Sequence, residues 1–181
     1  PAYFPSIRLA QLAAMLHRTG QLFGKSLAAA DHKELKNMFE IKLSNYWRNH
    51  YRFGKEGKPG ERRLGTSTIH AIIINTIVPA LYAYADQRAD ERFKERAFNL
   101  LRDLPAESNA ILREWKKLGF VAENAGDSQA LLELKINYCA ATQCVSCAIG
   151  CQLLSRPYER GEDGTLLTLN EEAVVYGLAG A

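Results

Sequence analysis

The segment that starts at Ser67 and includes the apolar run from residue 71 to residue 84 constrains the fold most. Ile69, Ile72, Ile73, Ile74, Ile77 and Val78 cover more than one face of any helix drawn through it. Such a helix has to be surrounded, so the run predicts a long buried helix starting at Ser67, with other elements packed around it. β-branched residues also suit a strand, but the length argues for a helix. Pro79 brings no amide hydrogen, and its ring collides with the carbonyl of Asn75, so a kink is expected inside the helix. Asn75 and Pro79 interrupt the longest apolar stretch, and it falls short of the roughly 20 residues that cross a bilayer. No basic flank, apolar stretch and cleavage site follow one another at the N-terminus. A soluble, cytoplasmic protein without a membrane partner is expected.

The surrounding elements are legible as further periodic segments. Residues 6–19 place Ile7, Leu9, Leu12, Met15 and Leu16 at helical spacing, with Pro5 at the first turn. Asp31 and Glu34 read as a capping box ahead of a helix carrying Leu35, Met38, Phe39 and Leu43. Amphipathic segments follow at 90–104, 106–118 and 128–140, separated by Pro105 and a turn over 119–127, and a short helical piece after Gly150 leads to Pro157. With 181 residues, 47% of them hydrophobic, one compact core is affordable and two domains are not expected. The expected class is all-α: a multi-helix orthogonal bundle over residues 1–155 with a cysteine-rich turn. A short irregular tail, acidic and Gly-rich, then occupies 156–181, where 165–169 suits one short strand and 170–172 a helical turn.

Charge is unevenly placed. Residues 48–63 carry Arg48, Arg52, Lys55, Lys58, Arg62 and Arg63 against Glu56 and Glu61, a local charge of +4 in a chain whose total is +3. Gly54, Gly57, Pro59 and Gly60 break regular structure there, so the segment reads as a basic loop. Residues 54–65 followed by Thr66, Ser67 and Thr68 set amides, hydroxyls and cations ahead of a helix start, which suits a nucleic-acid backbone. The order of a Walker motif is absent. Tyr46, Trp47, Tyr51 and Phe53 beside these cations can stack on bases or simply pack in the core, and the charges themselves also suit a solvated loop.

All four cysteines fall in one pattern, Cys139-x4-Cys144-x2-Cys147-x3-Cys151. A tight turn after a helix brings such thiolates within reach of one zinc ion or an iron–sulfur cluster. Unligated thiols packed in a core and a disulfide are the alternatives, the last disfavoured without a secretory signal. His50 can complete a Cys3His set, or pack among its aromatic neighbours. His17, His32 and His70 have no cysteine or carboxylate at metal-like spacing and are given no role. Residues 128–139 with the cysteines after them are similar to the cluster loop of endonuclease III-type DNA glycosylases. That family spaces its cysteines more widely, and its helix-hairpin-helix, catalytic Lys and Asp have no counterpart here, so glycosylase activity is not carried over. No nucleophile elbow, paired catalytic carboxylates or Cys–His couple appears, so independent catalysis is not expected.

Five motifs in order carry a closer resemblance: Pro5-Ser-Ile-Arg-Leu-Ala-Gln-Leu-Ala-Ala-Met-Leu, Tyr46-Trp-Arg-Asn-His-Tyr-Arg-Phe-Gly-Lys, Ile73-Ile-Asn-Thr-Ile-Val-Pro, Leu104-Pro-Ala-Glu-Ser-Asn and Tyr138-Cys-x4-Cys-x2-Cys-Ala-Ile-Gly. From Pro1 to about Leu154 the chain resembles the C-terminal part of domain-of-unknown-function family 2851, a set of uncharacterised bacterial proteins. The resemblance implies a larger N-terminal half, absent here, with carboxylate motifs similar to those of the PD-(D/E)xK nuclease superfamily; an opening without Met agrees with that expectation. It also implies that Cys151 stands where Asn is common, leaving Cys139, Cys144 and Cys147 as the stronger ligand set. Two functions are open. One is a nucleic-acid-binding accessory to that nuclease-like half, and the other a structural or protein-interaction domain completing the whole protein or a homo-oligomer.

Overall fold

A computed structural model describes residues 4–29 and 31–155, so the strand and helical turn expected after residue 156 lie outside the described residues. The fold is all-α apart from one small two-stranded sheet. The chain forms two compact units, Pro1–Leu132 and Glu133–Ala181.

In the first unit the apolar run forms the central helix. Helix α5 (Thr66–Ile72) passes through a π-helical stretch, Ile73–Ile77, into α6 (Val78–Arg88), giving 23 continuous residues. By length and composition this helix is apolar enough to cross a membrane, contrary to the shorter run expected. The difference arises because the backbone does not stop at Asn75 or Pro79. The amide of Val78 reaches back to the carbonyl of Ile73, five residues earlier, and the wider turn lies directly ahead of Pro79. A π-bulge thus stands where the kink is expected, and the Asn75 side-chain amide donates to the Ala71 carbonyl at 2.9 Å.

Other helices bury this one. Helix α3 (His32–Phe39) contributes Leu35 and Phe39, α1 (Pro5–Thr19) Met15, and α7 (Glu91–Asp103) Ala97 and Leu100, all packed with Ile69, Ile73, Ile74, Ile77, Val78 and Leu81. The Asp31 cap is as the sequence predicts, its carboxylate accepting from the Glu34 amide at 2.8 Å. That backbone hydrogen bond holds the Asp31 carboxyl below its ordinary pKa. Helix α3 nevertheless stops at Phe39, so Leu43 follows it as irregular chain. Helix α2 (Leu22–Ala28) has no counterpart in the sequence reading. It is too short and too poorly patterned to show by periodicity, and its last carbonyls are capped from a distance: the Arg96 guanidinium of α7 donates to the carbonyls of Ser26, at 2.9 Å, and Leu27.

Toward the end of this unit, α8 spans Ala110–Lys117 rather than starting at residue 106. Asn109 caps it, accepting from the Leu112 amide, while Pro105 bridges to Asn124 in extended form. Helix α9 (Ala125–Glu133) starts three residues earlier than expected and carries Ser128, which is fully buried. Its hydroxyl donates to the Asn124 carbonyl at 3.1 Å and accepts from the Glu107 amide at 2.9 Å. Ser128→Ala strands that amide, and urea denaturation is expected to report a loss of roughly 1–3 kcal/mol. A variant as stable as the parent would show that water replaces the hydroxyl.

The described part of the second unit is short. A π-helical turn, Leu134–Cys139, is followed by a 3-10 turn, Cys144–Ser146, and helix α10 (Ala148–Leu154). Gly150 lies so close to the 3-10 turn that a Cβ there would come within 2.2 Å of the Cys144 carbonyl oxygen, so α10 and the turn are in backbone contact.

Candidate functional site

The basic segment is a folded hairpin rather than the expected loop. Helix α4 (Asn45–Asn49) leads into strand β1 (His50–Arg52), which pairs antiparallel with β2 (Lys55–Glu56). The turn between them is Phe53-Gly54, and Gly54 has φ 66°, a conformation that glycine adopts without strain. The chain then returns alongside α4: the amide of Gly57 donates to the Asn49 carbonyl at 2.6 Å, and that of Gly60 to the Arg48 carbonyl at 3.0 Å. A Cβ on Gly57 would come within 2.8 Å of the Tyr51 ring, so the close approach needs glycine. These glycines, expected to break regular structure, permit the pairing.

The hairpin is fastened to α1 from beneath. Ser6 donates through its hydroxyl to the Tyr51 carbonyl. Gln11, buried on the inner face of α1, donates to the Arg62 carbonyl at 2.8 Å and accepts from Arg8 at 2.9 Å. In the sequence, the one trace of this anchor is a glutamine among the apolar positions of α1. Arg62 belongs to the anchor as well. Its guanidinium lies over the Tyr51 ring, 3.7 Å from the centroid, and donates to the Lys58 carbonyl at 2.7 Å. Arg63 pairs with Glu61 at 2.7 Å.

The six predicted cations therefore divide. Arg62 is structural and Arg63 is neutralised by its neighbour. Arg48, Arg52, Lys55 and Lys58 are exposed, and among the described residues none has an ion-pair partner. Arg52 and Lys55 face each other across the ladder. Like charges in that position repel unless an anion or solvent lies between them.

The aromatic residues also divide. Trp47 is half-buried and meets Phe53 edge-on at 5.1 Å. Tyr46 stacks on His50, with ring centroids 3.9 Å apart and planes 9° from parallel, while the Tyr46 hydroxyl accepts from the Gly54 amide at 2.9 Å. His50, whose Nδ1 lies 2.8 Å from the Tyr46 carbonyl, is thus a packed histidine of the hairpin. Phe53 at the turn is 79% exposed. Burying such a side chain is worth roughly 1.5–3 kcal/mol, a gain that the fold does not realise here.

The four cysteines stand on successive short elements of the second unit. Cys139 ends the π-helical turn, Cys144 begins the 3-10 turn, and Cys147 is the residue capping α10. The Cys151 thiol lies 2.9 Å from the Val145 carbonyl and points back to that turn. Among the described residues no three His, Cys, Asp or Glu side chains converge as a donor set. All four thiols are free, Cys147 buried and the other three exposed. One histidine does gain a carboxylate neighbour that its sequence position hid: His32 Nδ1 stands 3.8 Å from Asp103, which comes from α7. Nearby, burial and then the charges of His32 and Lys36 hold His70 below its ordinary pKa.

The sequence model of a family described as proteins of unknown function, DUF2851, matches residues 1–110. The chain belongs to the DUF2851 family. No curated protein matches the chain, and no solved structure does. The DUF2851 match contains the whole hairpin and its anchor on α1, and ends before the cysteines. It does not extend to Leu154 and does not support the expectation that only the C-terminal part of the family is represented. The thiol arrangement has a direct test. With a chromogenic thiol reagent, the native protein is expected to show three fast-reacting thiols, and Cys147 only on unfolding. Four thiols protected until a chelator is added would instead mean that they are ligated.

Proposed function

We propose that this domain binds nucleic acid through its hairpin, as an accessory to a nuclease-like part of the same protein. One observation carries the reading: Arg48, Arg52, Lys55 and Lys58 are exposed, and without an ion-pair partner among the described residues, on and beside a hairpin that a buried polar anchor holds in place. Cations of this kind neutralise backbone phosphates and release counterions, so they supply affinity and orientation and no catalysis. Exposed thiols fit a reducing cytoplasm, where such a ligand is found.

A second reading, a protein-interaction role, is favoured by the second unit. Ile136, Val145, Ile149, Leu153 and Leu154 are exposed there, and Cys147 is its one buried residue among those described. A second copy of the chain would cover such a face. In that case sedimentation should depend on concentration, and Val145→Glu should restore a monomer; a parent protein that is monomeric throughout removes the homo-oligomer.

For the first reading, binding to a labelled oligonucleotide is expected at low salt and should weaken steeply as salt rises. Replacing Arg48, Arg52, Lys55 and Lys58 together by Ala should flatten the salt dependence by about three to four phosphate contacts. Arg63→Ala should matter little, because its charge is already paired. No binding at low salt, or binding untouched by the four substitutions, overturns the proposal.

A further inference from the structure

Phe53 is the feature of the hairpin that phosphate binding leaves unexplained. It sits at the turn, 79% exposed, between two cations that oppose each other across the ladder. Its orientation is supported from one side, where Trp47 meets it edge-on at 5.1 Å and Tyr46 lies 6.3 Å away. Tyr46 is fixed in turn by His50 and by the Gly54 amide. A floppy side chain at a loop tip would have no such framework.

We infer that Phe53 is a stacking platform for one unpaired base, with Arg52 and Lys55 taking the phosphates on either side of it, so that the ligand is a single-stranded nucleic acid. The inference rests on the nucleic-acid reading above and narrows it. Every base has a π-face that a phenyl ring can cover, and stacking of this sort is tolerant of sequence. In a duplex those faces are already covered by neighbouring bases, so a projecting ring gains nothing there without unstacking them. The Arg52–Lys55 repulsion is relieved when a phosphate enters between or beside the two charges, which ties occupancy of the cations to occupancy of the ring. A membrane surface is the other anionic partner that aromatics and cations can meet. It is disfavoured because Tyr46 and Phe53 are the only large apolar side chains exposed between residues 44 and 63, too little apolar area to insert.

The test compares a labelled oligothymidylate with a duplex of equal length by fluorescence anisotropy, across a salt series, for the parent, Phe53→Ala and Phe53→Tyr. Because Phe53 is exposed, the variants should keep the parent circular dichroism spectrum. The single strand is expected to bind more tightly than the duplex. Phe53→Ala should weaken single-strand binding about tenfold, as the loss of one stacked base does, with the salt slope and the duplex affinity unchanged. Phe53→Tyr should restore most of the loss. Equal binding of both forms, a preference for duplex, or an unaffected Phe53→Ala overturns this inference while leaving the phosphate-binding reading intact. No binding of either form at low salt overturns both, as does binding confined to vesicles of anionic phospholipid.

Discussion

Burial of a helix that is apolar on more than one side is the requirement the first unit answers. Ile69, Ile73, Ile74, Ile77, Val78, Leu81 and Ala85 are all buried, and a single neighbouring helix cannot cover so many directions. Helices α1, α3 and α7 are therefore drawn to it, and their polar groups are spent on holding the arrangement. Arg96 caps α2 from α7, Asp31 caps α3, and Ser128 satisfies the chain between α7 and α8. Each of these is worth on the order of 1 kcal/mol, while the large gain is the apolar area they keep out of water.

The hairpin depends on that body through α1. Ser6 and Gln11 hold its backbone and Tyr51 carries Arg62, so one arginine of the basic segment is withdrawn from solvent to fix the rest. This is why net charge along a sequence overstates the charge a partner would meet. Residues 48–63 count +4, but the cations without an ion-pair partner among the described residues are the four that stand on α4, the two strands and the segment just after them.

Signals local in sequence were legible, and those made by tertiary contact were not. The long helix, the Asp31 cap and the Asp90 start of α7 follow from residues within one turn of each other. Helix α2 could not be read, because its stabilising donor is Arg96, far along the chain. The hairpin was concealed by Gly54, Gly57, Pro59 and Gly60, whose usual meaning is the end of structure; here Gly54 makes the turn and Gly57 makes room for Tyr51. At the candidate site the cations were identified by position, but which of them are engaged is decided by Tyr51, Glu61 and Lys58, and charge counting cannot see that. For the cysteines, nearness in sequence promised a converging set. Among the described residues they stand instead on successive short elements, the π-helical turn, the 3-10 turn and α10, and no three donor side chains converge.

The π-bulge in the central helix acts as a phase corrector. Ile69, Ile73, Ile77, Leu81 and Ala85 recur every four residues and are all buried. In an uninterrupted α-helix each step of four overshoots a full turn by about 40°, so four steps carry the stripe through roughly 160°, nearly to the opposite side. A stretch with five-residue hydrogen bonds winds more slowly and takes back part of that drift. The proline and the bulge beside it therefore let a strict period of four stay in register with one core, much as a leap day keeps a calendar aligned with the seasons.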